Sequence, residues 1–280
     1  MYDVKDEKVV LEHGSINKGI IAVASGKGGV GKSTVTVNLA TALAELGYKV
    51  GIIDADVRGF SVPRILGVTD KPKAVSENEI IPPEVKGIKT ISMGSFVGEN
   101  EPVIWRAPLL GGALEQFFKE VRWGELDYML LDLPPGTGDM ALNIMQKIPH
   151  SEVLVVTTPQ VTATKVAGRI GAMAEKMDLE VLGVVENMAY YQCPECGHKD
   201  YIFGEDGGKD LAEFMETELL GQLPLVSEVR RRSDSGNPIV FDEPESEISK
   251  EFVKIAERLA EREGGFDEKV EPLELNMDPK

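Results

Sequence analysis

The chain has 280 residues, enough for one large α/β domain or two small ones, and 42% of them are hydrophobic, so a sizeable core can be buried. Its 29 glycines and 16 prolines are ordinary in frequency, which excludes collagen-like and low-complexity chains. The 30 basic and 47 acidic residues give a formal net charge of −17, which disfavours nucleic acid as a partner because phosphate backbones attract basic surfaces.

Short apolar runs rich in Val and Ile recur along the chain and barely alternate with polar residues, as in strands buried on both faces of a parallel sheet. The predicted strands are residues 19–24, 49–53, 88–92, 128–131, 153–157 and 181–185. Segments with helical periodicity alternate with them, at residues 32–46, 107–121, 138–148, 162–177, 208–219 and 246–263. This alternation predicts an α/β fold with a doubly wound, mostly parallel sheet and helices on both faces.

The chain shows no internal repeat and no long linker. We expect one domain over residues 18–263, which includes the two cysteines of the chain. A short extension at residues 1–17 precedes it, and an acidic tail at residues 264–280, expected to be disordered, follows it. The charged, proline-containing stretch at residues 68–87 is predicted to be a surface loop or a short hairpin.

A glycine-rich segment between the first predicted strand and the first predicted helix matches the Walker A pattern of P-loop NTPases. Its glycines let backbone N–H groups approach phosphate oxygens, and the helix that follows adds the positive end of its dipole. Lys32 is predicted to contact the β- and γ-phosphates of ATP, and Ser33 to offer its hydroxyl to Mg²⁺. The predicted nucleotide-binding residues of this segment are Gly26, Lys27, Gly28, Gly29, Val30, Gly31, Lys32, Ser33 and Thr34.

A second lysine, Lys27, directly follows the first glycine of this loop. The pattern Lys-Gly-Gly-Val-Gly-Lys-Ser-Thr resembles the deviant Walker A of the MinD/ParA/nitrogenase-iron-protein class. This resemblance implies that Lys27 crosses a dimer interface and contacts the nucleotide of the partner. Lys27 would then act like an arginine finger, placing positive charge where the transition state of phosphoryl transfer needs it.

Three aspartates at strand ends are expected at the carboxyl edge of the sheet, where open α/β sheets bind ligands. Asp54 and Asp56 follow the second predicted strand, and Asp132 ends the apolar strand of a Walker B pattern. Asp132 is predicted to be the second Mg²⁺ group beside Ser33. The resemblance implies that Asp56 orients the attacking water and that Asp54 lies close to the waters of Mg²⁺. The predicted catalytic residues are Lys27, Lys32, Asp56 and Asp132.

Asn187, at the end of the sixth predicted strand, is the candidate for contacting the base. A side-chain amide offers one acceptor and one donor, as the edge of adenine requires. The alternative is a strand-end asparagine that only caps a turn.

Cys193 and Cys196 form a possible metal knuckle, because thiolates at positions i and i+3 can bind one metal from a tight turn. A tetrahedral zinc or an iron–sulfur cluster needs about four ligands. The adjacent His198 is a poor candidate for completing a site on the same turn. A two-fold homodimer would supply two more thiolates, so we predict a metal site shared across the dimer. The alternative is a redox dithiol or a turn whose thiols bind nothing.

Longer stretches carry a closer resemblance, at residues 186–197, 201–204, 105–108, 123–128 and 132–139. They resemble the Mrp/ApbC family of P-loop iron–sulfur cluster carrier ATPases over about residues 18–260. The resemblance implies a dimeric ATPase with slow basal turnover. Such a protein binds a labile [4Fe–4S] cluster between two Cys-Pro-x-Cys motifs and passes it to apo iron–sulfur client proteins. Cys193 and Cys196 would be the cluster ligands.

Two alternatives remain open. A MinD/ParA-like partitioning ATPase would share the P-loop, but the acidic C-terminus and net charge do not suit a membrane-binding helix or a DNA-binding surface. The best candidate for a local basic patch is the run at residues 230–232. An ATP-binding dimer held by structural Zn²⁺ is the second alternative, since zinc and iron–sulfur clusters both prefer thiolates.

The sequence also predicts the cellular location of the protein. The N-terminus lacks the apolar core of a secretory signal, and no run approaches the roughly 18 apolar residues that span a bilayer. We therefore expect a cytoplasmic protein that binds no membrane.

Overall fold

The structure is a computed structural model that describes residues 3–5, 8–57, 59–76, 78–96, 107–148 and 150–262. The predicted tail at residues 264–280 lies outside this range. Within it the strands are β1 (Asp3–Lys5), β2 (Lys8–Leu11), β3 (Gly14–Ala24), β4 (Val50–Asp54), β5 (Lys73–Ser76), β6 (Glu79–Ile81), β7 (Glu84–Val85), β8 (Ile88–Ser92), β9 (Gly124–Asp132), β10 (Ser151–Thr157), β11 (Val181–Asn187), β12 (Tyr191–Gln192), β13 (Lys199–Asp200) and β14 (Leu219–Leu223).

The helices of the same residues lie between these strands or after them. They are α1 (Lys32–Glu45), α2 (Val62–Leu66), α3 (Ala107–Glu120), α4 (Asp139–Lys147), α5 (Val161–Lys176), α6 (Gly207–Phe214), α7 (Ser227–Asp234), α8 (Ile239–Asp242) and α9 (Glu247–Ala260). A 3₁₀ turn at Met93–Phe96 follows β8. In the described part of the chain, no helix combines the length and the apolarity needed to cross a membrane.

The main sheet has the strand order β14-β11-β10-β3-β9-β4-β8-β7. All neighbours from β14 to β8 pair in parallel, and β7 joins the edge antiparallel. The carboxyl ends of the parallel strands therefore meet at one edge, where the predicted phosphate-binding loop follows β3.

Two hydrophobic cores cover the two faces of this sheet. Successive residues of β3 point to opposite faces, so that Ile20 and Ala22 belong to one core and Ile21 and Val23 to the other. Helices α3, α4, α5 and α6 pack on the first face, and α1 and α9 on the second. This burial on both faces explains why the strands read as continuous apolar runs.

The predicted strands and helices are all present, with differences at their ends and some additions. β3 begins at Gly14, so the boundary predicted between residues 17 and 18 falls inside a strand, and β2 pairs antiparallel with its first half. The helix predicted over 208–219 ends at Phe214, and the chain enters the unpredicted strand β14 at Leu219. The predicted hairpin within 68–87 is confirmed, because β5 pairs antiparallel with β6.

Candidate active site

The loop between β3 and α1 is the predicted phosphate-binding segment. Gly29 and Gly31 both have φ of 82°, a left-handed conformation that residues with a Cβ rarely adopt. A Cβ built on Gly29 meets no atom within 4 Å in the described structure, so the space above the loop is open. α1 begins at Lys32 without a side chain that caps its N-terminus. Its first backbone N–H groups therefore lack intrahelical acceptors and can receive an anion.

Lys32 lies among carboxylates at the carboxyl edge of the sheet. Its side chain is 5% exposed, and its Nζ lies 2.8 Å from Asp132 Oδ1 and 3.7 Å from Asp56 Oδ2. Despite these ion pairs, the ammonium makes no hydrogen bond of good geometry with the described residues. A buried ammonium with unused donors suits phosphate oxygens as additional partners.

Asp132 is fully buried at the end of β9, where two hydroxyl groups of α1 contact it. Ser33 Oγ donates to Asp132 Oδ2 at 2.6 Å, and Thr36 Oγ1 donates to Asp132 Oδ1 at 2.8 Å. Ser33 and Thr36 are three residues apart and so lie on one face of the helix. A hydroxyl beside a carboxylate is the kind of hard oxygen pair that Mg²⁺ prefers.

Asp54 lies beside Asp132, because the two residues are register partners in β4 and β9. It is fully buried and accepts hydrogen bonds from Ser92 Oγ at 3.2 Å and from the backbone N–H groups of Asp56 at 3.2 Å and Val62 at 3.3 Å. Burial, and secondly the carboxylate of Asp132, raises the pKa of Asp54 well above its ordinary value. Asp54 therefore fixes the turn that carries Asp56 next to Lys32.

Asn187 ends β11 beside the same loop. Its Nδ2 donates a hydrogen bond to the carbonyl oxygen of Val30 at 2.8 Å. A Cβ built on Gly31 would lie only 2.2 Å from that nitrogen, so a larger residue here would displace the Asn187 amide and break its hydrogen bond, besides adopting a strained backbone conformation. This bond uses a donor of the amide and leaves its oxygen for another partner. The contact of Asn187 with adenine stays a prediction.

A cavity of about 490 Å³ opens next to Asn187. This volume is within the range of small-molecule sites. Its walls combine apolar side chains with a few polar groups, and they include Thr34, Phe60, Arg64, Met188, Leu225 and Arg230. The cavity adjoins the glycine loop, as a site for the nucleoside part of a bound nucleotide would.

The three consecutive arginines of the chain lie in α7 and are paired with acids. Arg230 lies 3.0 Å from Asp234, and Arg232 lies 3.0 Å from Glu228 and 2.7 Å from Glu243. Ion pairing offsets the positive charge of the run that the sequence singled out as a possible basic patch.

Cys193 and Cys196 lie at the tip of a hairpin formed by β12 and β13. The backbone N–H of Cys193 donates to His198 O at 2.9 Å, and that of Gly197 donates to Cys193 O at 2.9 Å, which closes a tight turn. Cys193 is partly exposed and Cys196 is exposed. Hydrogen bonds from the backbone of Cys196, and then of Glu195, lower the pKa of the Cys193 thiol, which favours the thiolate that binds metals.

The described residues contain no group of three or more His, Cys, Asp or Glu side chains arranged to hold a metal ion. The hairpin itself therefore offers two thiols and no complete ligand set within the described part of one chain.

Tyr190 connects this hairpin to the cavity wall. Lys199 Nζ lies 4.0 Å from the centroid of the Tyr190 ring, and the ring of Tyr201 lies 6.1 Å away, centroid to centroid. The backbone N–H of Leu225, which lines the cavity, donates to Tyr190 O at 2.7 Å. The β13 side of the hairpin is thus held against Tyr190, whose backbone is bonded to a residue of the cavity wall.

The structure brings the predicted loop and the three aspartates together, and it holds the two cysteines on a separate hairpin. Lys27 donates from Nζ to Gln160 Oε1 at 2.7 Å. Thr36, Ser92 and Gln160 were not predicted from the sequence. The spacing of Thr36 from Ser33 on one helix was a usable signal, whereas Ser92 and Gln160 reach the site only through the tertiary fold.

Comparison with known proteins identifies the family. The family described as "ParA: NUBPL iron-transfer P-loop NTPase" matches residues 16–260. The chain belongs to this family. The resemblance predicted from the sequence is therefore confirmed, and so is the P-loop NTPase fold class.

Several curated relatives of this P-loop NTPase bear the same name. The "Iron-sulfur cluster carrier protein" of Bacillus subtilis is 52% identical over 84% of this chain and 66% of its own length. The protein of the same name from Pyrococcus horikoshii is 46% identical over 86% of this chain and 85% of its own length. The chain thus spans 66% of the length of the Bacillus subtilis relative.

Solved structures of similar proteins share the fold. A nucleotide-binding protein from Archaeoglobus fulgidus in complex with ADP, with Co found by PIXE, aligns with a TM-score of 0.71 and 41% identity over 82% of this chain and 89% of that chain. The cell division ATPase MinD from Pyrococcus furiosus aligns with a TM-score of 0.67 and 27% identity over 87% and 98% of the two chains.

Proposed function

We propose that this P-loop NTPase is an ATP-dependent iron–sulfur cluster carrier that holds a labile [4Fe–4S] cluster across a homodimer and transfers it to apo-proteins. The observation that carries this proposal is the exposed hairpin with Cys193 and Cys196 on a nucleotide-binding fold. Two thiolates are half of the ligand set of such a cluster, and a second copy of the chain supplies the other half. The names of the curated relatives agree with this function.

The nucleotide site has features that suit ATP. The uncapped N-terminus of α1, the open space above Gly29 and the buried ammonium of Lys32 all favour a polyphosphate. The cavity beside Asn187 would receive the nucleoside. We propose that the nucleotide bound here is ATP.

Mg²⁺ fits the oxygen groups at the end of β9. Ser33 and Asp132 would hold it directly or through water, with Asp54 buried behind them. When bound, the ion offsets charge on the phosphates.

The remaining residues act on the phosphates and the attacking water. Asp56 would orient the water, and Lys32 would bind the β- and γ-phosphates. Lys27 would reach the nucleotide of the partner subunit and add positive charge there. The basal turnover is expected to be slow without a client protein, as the resemblance to the carrier family implies.

A dimer held by structural Zn²⁺ is the second candidate, because the same thiolates would bind zinc. Zinc would sit in a tetrahedral site and would not be passed to a client. The likeness to MinD is one of fold, and MinD-like partitioning would leave the cysteine hairpin without a role.

The test is anaerobic reconstitution with iron and sulfide, followed by metal analysis and size determination. We expect a brown dimer with about four iron atoms per two chains. Cys193→Ser and Cys196→Ser should each lose the iron, whereas Glu195→Gln, in the same turn, should keep it. Full iron content in the cysteine variants, or zinc alone after anaerobic purification, would contradict the carrier function. A second readout is transfer of the cluster to an apo iron–sulfur protein.

A further inference from the structure

Lys27 is held within its own chain by Gln160. The Nζ of Lys27 lies 2.7 Å from Gln160 Oε1, and both residues are partly exposed. They are 133 positions apart in the sequence. Gln160 is therefore brought to the glycine loop by the fold and not by the Walker A motif.

A close approach between the loop and α5 creates this contact. A Cβ built on Gly26 would lie 2.4 Å from the backbone nitrogen of Ala167, so only glycine lets the loop approach the helix backbone this closely. Gln160 precedes the first residue of α5 and starts the helix with its own carbonyl oxygen, which accepts from the backbone N–H of Ala163 at 2.8 Å. Its side chain is left to reach Lys27.

The partner of Lys27 is a neutral amide, which has two consequences. The oxygen of Gln160 orients the ammonium but does not cancel its charge, as a carboxylate would. The N-terminal end of the α5 dipole also disfavours a cation nearby. The bond is weaker than an ion pair with a carboxylate would be, so the negative charge of a phosphate group can replace it.

The contact lies at an accessible surface. Gly28 and Gly29 of the loop are exposed, and Val161, next to Gln160, is 65% exposed. Among the described residues, this side of Lys27 is open to the approach of a second copy of the chain.

We infer that Gln160 is a positioning residue for Lys27: it orients the ammonium for the nucleotide of the partner subunit without placing an opposite charge beside it. This inference rests on the proposed function, in which Lys27 acts across the dimer. Ordering the flexible lysine before it meets phosphate reduces the conformational entropy lost in the transition state.

The experiment is a double-mutant cycle on the full chain, with ATP hydrolysis measured over a range of Mg²⁺·ATP concentrations. The variants are Lys27→Ala, Gln160→Ala, Gln160→Glu and the double variant Lys27→Ala with Gln160→Glu. Gln146→Glu, an exposed position in α4, adds the same charge elsewhere and serves as the control. Thermal unfolding of each variant reports on folding.

We expect Gln160→Glu to lower kcat about tenfold because a carboxylate pairs with Lys27, and Gln160→Ala to lower it about threefold because the lysine loses its hold. KM should change less than about twofold, because a positioned positive charge acts mainly on the transition state and less on the binding of ATP. In the Lys27→Ala background, Gln160→Glu should have no further effect on kcat. Gln146→Glu should behave as the unchanged protein.

Equal losses from Gln160→Glu with and without Lys27 would show a structural role at the start of α5 and would overturn the inference. So would full activity of both Gln160 variants while Lys27→Ala is impaired, and in that case the assigned role of Lys27 would stand. Full turnover of Lys27→Ala itself would overturn the role of Lys27 in the proposed function, and the inference with it.

Discussion

A hydrogen bond of 2.8 Å joins the side-chain amide of Asn187 to the carbonyl oxygen of Val30 in the phosphate-binding loop. Asn187 is the last residue of β11, and Cys193 follows six positions later. The strand that contacts the nucleotide loop is therefore the one that leads into the cysteine hairpin. One short stretch of backbone thus joins Asn187 to the first cysteine.

Replacing Lys32 tests the phosphate site. We expect Lys32→Ala to lower ATP turnover by at least about 100-fold, because the lysine supplies the buried positive charge at the phosphates. Steady-state hydrolysis checks this, with Lys71→Ala, an exposed lysine outside the site, as the matched control. Persistent turnover in Lys32→Ala would contradict the assignment of the phosphate site.

The effect on stability of the contact between Gly31 and Asn187 can be measured separately from the effect of backbone strain. Gly31 and Gly87 share a φ of 82°, but a Cβ on Gly87 meets nothing within 4 Å, whereas one on Gly31 lies 2.2 Å from Asn187 Nδ2. We expect Gly87→Ala to lower the free energy of unfolding by about 1 kcal/mol through strain alone, and Gly31→Ala by about 3 kcal/mol. Denaturant unfolding without nucleotide measures both. Equal losses would mean that the Asn187 contact contributes nothing.

Glu152, at the opposite edge of the sheet, predicts a pH dependence of stability. Burial, and secondly the Glu180 carboxylate, raises the pKa of Glu152 from 4.5 to about 7, against the effect of Arg262. Folding therefore favours the protonated form. This contribution to stability is fully present below pH 4.5 and is lost as the pH rises through about 7.

We therefore expect Glu152→Gln to raise the free energy of unfolding by about 1–2 kcal/mol at pH 8, after allowance for solvent screening, and to change it little at pH 4. Denaturant unfolding at the two pH values checks this. Glu125→Gln, the same change at an exposed position, is the matched control. A gain of the same size at both pH values for Glu152→Gln would argue against the raised pKa.

We expect the ring of Tyr190 to affect how tightly the hairpin retains a bound cluster. Tyr190→Ala removes the surface that Lys199 and Tyr201 contact, and a cation–π contact contributes about 1 kcal/mol. We expect iron to leave reconstituted Tyr190→Ala about fivefold faster than it leaves the unchanged protein, on the same energy. Tyr190→Phe keeps the ring and should retain iron normally. Absorbance measurements of iron loss distinguish the two variants. Equal rates of iron loss would show that the ring contact does not affect iron retention.

Much of this architecture follows from the order of residues alone. The Val- and Ile-rich runs predicted the central strands because a parallel sheet buried on both faces needs apolar residues at successive positions. β14 was missed because Gly221 and Gln222 interrupt its apolar run, and it gains its stability from pairing with β11. β2 was missed because it is a short strand beside charged residues, stabilised by its antiparallel pairing with β3.

The site was predictable where chemistry is encoded locally. The glycines and the lysine of the loop have a fixed spacing, and the loop directly follows a strand. Asp132 ends another strand, so the residue pattern and the predicted secondary structure around it agree. Ser92 and Gln160 have no such signal, because their contacts with Asp54 and Lys27 depend on how β8 and α5 lie against neighbouring elements. Long-range side-chain contacts of this kind arise from packing and leave no periodicity in the sequence.

The position of the two cysteines at an exposed hairpin tip has a chemical consequence for any cluster bound there. In the described part of one chain both thiols are at least partly exposed, so thiolates of a recipient protein could approach iron atoms bound there. Transfer of a bound cluster would then be a stepwise exchange of one sulfur ligand for another, and its rate would depend on the recipient protein as well as on the donor. The same openness leaves the cluster accessible to oxygen.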